Sequence, residues 1–300
     1  MKTLWIPLFT IITLMLTVHV SAQELYFATT SDDDSLRVID VSSGTIIDAK
    51  AITVVGEMVV KSNGLARNPS NDELFCLLQL QGQPNRFLAQ LDTVTGAATL
   101  IGDTGDKFAG IVFNNAGVLY GVTGDGGNVP EALYTINISN ASTTLASTLG
   151  NGDDGETIAY DPNNNLFYHA SGIGTGRVYE RLNVAFAVTN IPITGVDYEE
   201  ATALTYRGNG SFLLASWERI YDIDLAGNVI PVDTLNFFHG WKGLVRTYGY
   251  LDLEEMSATK TTPKLVKIVD IFGREVKDEP NKLLIYVYSD GTMKKIFRIQ

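Results

Sequence analysis

A single phrase returns four times along this 300-residue chain at a nearly fixed interval, and that spacing restricts the fold more than any other feature. It opens on a small residue, alternates apolar and polar positions, crosses an Asn/Asp/Gly turn and closes on a Leu/Phe/Tyr-rich strand. The copies are GLARNPSNDELFCLL (64–78), GIVFNNAGVLYGVT (110–123), TIAYDPNNNLFYHAS (157–171) and ALTYRGNGSFLLAS (203–216). Their starts at Gly64, Gly110, Thr157 and Ala203 lie 46, 47 and 46 residues apart, and GLVRTYGYL begins a fifth copy at Gly243, 40 residues later. Apolar alternation has period two throughout, with no amphipathic helical stretch beyond a turn or two, so the chain is all-β.

The fifth copy breaks off, and its missing strands stand at the other end of the chain. ELYFATT (24–30) matches the second strand of the phrase, and SLRVIDVSSGTII (35–47) matches the third and fourth. A ring sealed by both ends accounts for this: the last copy supplies an inner strand and the N-terminal segment supplies the other three, leaving no large sheet edge open. A second column fixes the register. The third strands end in Asp40, Asp92, Asn137, Asn183 and Asp224, each before a turn, where a short side-chain acceptor bonds backbone N–H groups two residues on. The expected fold is a β-propeller of about five four-stranded blades over residues 23–253 with circular closure, near the usual repeat length of ~40–45 residues. The blade phrase, seen in LYTINISNASTTLASTLG (133–150), resembles that of secreted propellers with an "LYxxxxxTGxxxxIG" repeat, a likeness of fold and not of activity.

The two ends carry addresses. Lys2, an apolar run from Leu4 to about Val20, and Val18-His19-Val20-Ser21-Ala22 form the pattern of a cleavable signal peptide over residues 1–22. The run is short for a membrane span of ~20 apolar residues, and Gln23 is not the cysteine of a lipoprotein. A threonine-rich linker at 254–263 then leads to a tail, 264–300, expected to form a small β-hairpin-like unit. The tail holds Asp270-Ile271-Phe272-Gly273-Arg274-Glu275-Val276, the strand Ile285-Tyr286-Val287-Tyr288, and Ser289-Asp290-Gly291-Thr292 before Lys294 and Lys295. These motifs resemble the C-terminal sorting domain of cargo of the type IX secretion system. The resemblance covers about the last 37 residues and implies export to the medium or outer surface of a Gram-negative bacterium by way of the periplasm.

Charge divides along the same line. The tail has eight basic and five acidic residues, whereas residues 23–263 carry thirteen basic against twenty-nine acidic. So acidic a body repels nucleic acid and anionic membrane surfaces. The one cysteine, Cys76, lies in the apolar run LFCLL and reads as a buried small hydrophobe.

Chemistry-bearing motifs are sparse. Neither His169, in a strand, nor His239, in the loop FFHGWKG, sits in a metal-binding or nucleophile motif, and Gly172–Arg177 lacks the Gly-Lys-Ser/Thr of a phosphate cradle. His169 reads as a satisfied structural histidine. The loops that lead into the inner strands share one face of a propeller, and three successive ones are acidic. Asp106, Asp153, Asp154, Glu156, Glu199 and Glu200 are therefore candidate ligands for Ca²⁺, which takes six to eight oxygens, against the plainer reading of a solvated acidic rim. Phe237, Phe238, His239 and Trp241 form a candidate contact for a glycan or protein ligand, because sugar faces and apolar side chains stack on such rings. The expected function is a secreted or cell-surface binding module. The alternatives are a glycoside hydrolase or lactonase with Glu156 and Glu200 as its acid and base, or a scaffold without ligand.

Overall fold

The computed structural model describes residues 23–149, 156–232, 240–247, 265–270, 274–277, 282–288 and 293–297. The chain divides into two compact units, Met1–Gly249 and Tyr250–Gln300. The larger unit is a five-bladed β-propeller. Blade 2 is β4 (Val59–Arg67), β5 (Leu74–Leu80), β6 (Phe87–Leu91) and β7 (Ala98–Asp103); blade 3 is β8 (Phe108–Phe113), β9 (Leu119–Thr123), β10 (Ala132–Ile136) and β11 (Thr143–Thr148). Blade 4 is β12 (Glu156–Asp161), β13 (Leu166–Ser171), β14 (Val178–Leu182) and β15 (Val188–Asn190). Blade 5 is β17 (Ala203–Gly208), β18 (Ser211–Ser216), β19 (Arg219–Asp224) and β20 (Asn228–Pro231), with the short β16 (Thr194–Gly195) laid parallel along β20.

Blade 1 closes the ring as expected from the split repeat. Its inner strand is β21 (Trp241–Arg246), and β1 (Leu25–Thr30), β2 (Ser35–Asp40) and β3 (Thr45–Ala51) follow outward. The β1–β21 ladder is antiparallel and sets Phe27 opposite Val245 and Ala28 opposite Leu244. Each blade is covered on both faces by its neighbours, so the second strands are apolar on both sides; LFCLL in β5 is buried throughout. Five apolar clusters result, one in each seam. Phe27, Leu65, Cys76 and Val245 join blades 1 and 2, and Tyr168, Leu204 and Phe212 join blades 4 and 5. The third strands end in the expected Asx turns: Asp40, Asp92, Asn137, Asn183 and Asp224 each accept a hydrogen bond from the backbone N–H two residues on.

The small residue that opens each copy has a steric cause. Gly64, Gly110, Thr157, Ala203 and Gly243 meet at the axis and leave a void of only about 10 Å³. A Cβ on Gly64 would lie 3.2 Å from the Gly110 Cα, and one on Gly243 would lie 3.1 Å from the Gly64 carbonyl carbon and 2.5 Å from Thr29 Oγ1. Gly64 also has φ +73° at a bulge in β4, a conformation costly for any residue with a Cβ. The axis is therefore plugged by backbone.

The linkers between blades, which the repeat pattern does not specify, double as edge covers. Thr53 exchanges backbone hydrogen bonds with Gly96 and Ala98 beside β7, and Thr194 and Val196 donate to Gly227 and Val229 beside β20. Open outer edges are thereby occupied.

In the smaller unit, β22 (Leu265–Val269), β23 (Leu283–Tyr288) and β24 (Met293–Phe297) form a three-stranded antiparallel sheet. Asp270 and Arg274 of the DIFGREV segment are interlocked. The Asp270 backbone N–H donates to the Arg274 carbonyl at 2.9 Å, and the Arg274 guanidinium and backbone N–H donate to the Asp270 carboxylate at 2.7 and 3.0 Å.

Candidate ligand-binding face

Antiparallel order fixes what each face of the ring can present. The first and third strands of every blade begin on one face, here called upper, which therefore carries the loops between second and third strands and the connections between blades. The lower face carries the tight turns. There polar side chains bind backbone turns or one another: besides the five Asx turns above, Asn68, Asn114 and Asp161 accept from the backbone N–H groups of Ser70, Ala116 and Asn163 at 3.0 Å each, and Arg207 is ion-paired with Glu24 and Asp222. The upper face instead gathers charged side chains from every blade, among them Asp32, Lys61, Arg86, Asp106, Asp125, Glu131, Glu156, Glu200 and Lys242.

At the seam of blades 3 and 4 this face opens onto a buried network. His169 is fully buried; its Nε2 lies 2.6 Å from Glu156 Oε2 and its Nδ1 lies 3.1 Å from Glu180 Oε1. Ser171 Oγ donates to Glu156 Oε1 at 2.8 Å. The ladder explains the grouping: His169 is the register partner of Glu180, and Ser171 is the partner of Glu156, so all four project from one side of blade 4. Burial alone disfavours an imidazolium, but the two carboxylates outweigh it and raise His169 to about 9. Burial pushes the Glu156 carboxyl above its ordinary value, with His169 and Ser171 pulling against it and Asp125 adding to it. His169 is thus a satisfied core histidine, as its strand position indicated, but one that carries a charge.

Glu156 also faces two acids from blade 3. Asp125, Glu131 and Glu156 each offer a carboxylate oxygen, and these oxygens lie within 4.8 Å of one another. They are the residues best placed to hold a cation. The other expected ligands are spread out. The Asp106 carboxylate accepts from the backbone N–H groups of Lys107 and Asn128, both at 2.8 Å, and so shapes its own loop. Glu200 is buried beside Lys242 at 3.4 Å, and Glu199 is exposed on the rim. Asp153 and Asp154 lie outside the described residues, as do Phe237, Phe238 and His239. Trp241, expected on the rim, is fully buried in the seam of blades 5 and 1 against Tyr26, Leu213 and Leu244, because it is the first residue of an inner strand rather than part of the loop before it. Among the described residues, the exposed aromatic on the upper face is Trp217, which holds φ +50° after β18 and lies 5.6 Å from the Lys242 ammonium.

The fold and this face define a five-bladed propeller with a charged, plugged upper surface, and the chain is similar to several solved structures. The nidogen/laminin complex aligns with 76% of this chain and 99% of its own at 11% identity and a TM-score of 0.50. TolB from Acinetobacter baumannii aligns at 14% identity and a TM-score of 0.48, covering 89% of this chain, which spans 62% of that one. A gluconolactonase from Xanthomonas campestris aligns at 12% identity and 0.45, over 71% of this chain and 77% of its own. No protein-family model matches the sequence, and no curated protein matches it.

The buried network makes stability depend on pH. A histidine whose pKa rises on folding from 6.5 to about 9 contributes stability fully below pH 6.5 and loses it as pH climbs through about 9. Urea midpoints of the wild type should therefore fall between these limits, by an amount on the order of 1–3 kcal/mol in stability. In Glu180→Gln the imidazolium loses one carboxylate, so the fall should still begin near pH 6.5 but end at lower pH and be smaller; identical pH profiles for the two proteins would refute the assignment.

Proposed function

We propose that this chain is an exported binding module that takes a glycan or protein ligand on the upper face of its propeller. The observation that carries the reading is the asymmetry of the two faces. Charged side chains of the lower face are paired with one another or with backbone, as in the Glu24–Arg207–Asp222 network and the Asx turns, whereas the upper face brings the carboxylates of Asp125, Glu131 and Glu156 within 4.8 Å of one another on a ring whose axis is plugged. A plugged ring transmits nothing along its axis, so a ligand rests on the plug, where convergent polar groups fix its orientation. A second reading, an enzyme of glycoside hydrolase or lactonase type, draws on the Asp125–Glu131–Glu156 trio, with the raised Glu156 carboxyl as a proton donor or the three as holders of a cation such as Ca²⁺.

A glycan array probed with and without millimolar Ca²⁺, followed by a binding screen against purified proteins of the host surface, tests the module. Lys242→Ala on the upper face should weaken whatever is bound by about tenfold, roughly the 1.4 kcal/mol of one lost polar contact. Asp72→Asn, on an exposed lower turn, should leave binding unchanged. Equal effects, or no ligand in either screen, would remove the reading, and turnover of a bound sugar would favour the enzyme.

For export, we propose that residues 264–300 act as a type IX sorting signal after removal of residues 1–22. Support comes from the quoted motifs and from the interlocked Asp270–Arg274 turn in a separate three-stranded unit. Deleting 264–300 should hold the protein in the periplasm of a host with that system and leave the melting temperature of the ring nearly unchanged. A large loss of ring stability would make the segment a structural part of the propeller instead.

A further inference from the structure

Loop length sets the relief of the upper face. Between their second and third strands, blades 1 to 4 carry four (31–34), six (81–86), eight (124–131) and six (172–177) residues, whereas blade 5 turns in two, Trp217 and Glu218. Among these loops the rim is therefore lowest at blade 5. Ser216 and Arg219 form the last pair of that hairpin, and Trp217 follows Ser216 with φ +50°. Tight hairpin turns that need a positive φ use glycine, asparagine or aspartate, because a bulky side chain is strained in that conformation. Trp217 also stays 41% exposed, so core burial does not explain an indole at this position. A strained, exposed aromatic at the lowest point of these loops points to a role outside the fold.

Three segments hold the ring beside a charged pair. The Trp217 carbonyl accepts from the Trp241 N–H at 3.0 Å, and a Cβ on Gly240 would lie 3.2 Å from Trp217 Cε3, so the chain entering β21 lies against the indole. Ser216 Oγ, next to the turn, accepts from the backbone N–H groups of Glu199 and Glu200 at 3.1 Å each. That contact fixes Glu200 where its carboxylate lies 3.4 Å from the Lys242 ammonium, which lies 5.6 Å from the indole ring. The side chains of Lys242 and Glu200 are 21% and 10% exposed, so both reach solvent. An open aromatic surface with a donor and an acceptor at its margin matches a sugar ring, whose C–H face packs on an indole while its hydroxyls both donate and accept. A cationic side chain finds the ring already facing Lys242. An apolar one strips water from the Glu200–Lys242 pair without replacing its hydrogen bonds. A polyanion meets Glu200 on a unit with a large excess of acid.

We propose that Trp217, Glu200 and Lys242 form a subsite for one ring of a neutral oligosaccharide. This deepens the binding-module reading and rests on it. The sugar lays its C–H face on the indole and shares its hydroxyls between the Glu200 carboxylate and the Lys242 ammonium.

Tryptophan emission reads this site directly, because Trp5, Trp217 and Trp241 are the only indoles in the chain. In the full-length Trp5→Phe protein, Trp217 is the exposed fluorophore and Trp241 the buried one. The probes are cellohexaose, mannohexaose, xylohexaose, an oligogalacturonate and oligolysine, titrated by fluorescence and by calorimetry. At least one neutral oligosaccharide should shift the emission to shorter wavelength and shield it from acrylamide. By calorimetry, Trp217→Ala and Lys242→Met should each weaken that binding at least tenfold. Trp217→Tyr, which keeps an aromatic face, should hold it within a few-fold, and Asp72→Asn, on a lower turn, should not change it. Trp241 emission reports whether Trp217→Ala is folded; if it is not, Trp217→Tyr and Lys242→Met decide. No binding by any neutral probe, or tighter binding of oligogalacturonate or oligolysine, would overturn the proposal. A glycan held equally well by wild type and by folded Trp217→Ala would sink this subsite and leave the module reading intact.

Discussion

Five inner strands meet backbone to backbone at the axis of this ring, and one of them arrives from the opposite end of the chain to the strands it completes. Every other feature depends on that meeting. The seams are apolar because each blade is covered by two neighbours, and blade 1 has neighbours only while β21 is paired with β1. Gly64 and Gly243 permit the approach, since a Cβ on either would contact backbone of the next strand. The plug they form closes the axis and makes the upper face a continuous floor.

That floor holds charge at two depths. Below it, in the seam of blades 3 and 4, His169 is clamped between Glu156 and Glu180, and the three groups balance one another's burial. On the upper side of blade 2, by contrast, Lys61 and Arg86 make no ion pair among the described residues. A protein gains conformational definition from the first kind of arrangement and loses stability by the second.

The architecture was legible because it is written in repeated local signals. A small residue at each strand start, an Asx acceptor at the end of each third strand and a split final copy reflect three physical demands: axial crowding, turn hydrogen bonding and closure. The site was less legible because its members meet across seams. Glu156 stood out in its acidic loop, but its partners Asp125 and Glu131 lie on another blade at positions that no repeat marks. Glu180 and His169 sit directly opposite one another on adjacent strands, and the signal that joins them is an acid at an inward position of VYERL facing a histidine in a mostly apolar strand. Trp241 was misplaced by a residue or two, enough to move it from a loop to the head of β21, where its ring points into a core. The linker covers on β7 and β20 left no trace in the alternation because a single added bridge needs no apolar pattern of its own.

Native-state hydrogen exchange tests the central dependence on closure most directly. If the ring is one cooperative structure sealed by β1 and β21, the amides of Phe27, Ala28, Leu244 and Val245 exchange only through global unfolding. Their opening free energies would then equal those of β5 in blade 2. Opening of the β1–β21 ladder at distinctly lower free energy, with β5 still protected, would contradict the account.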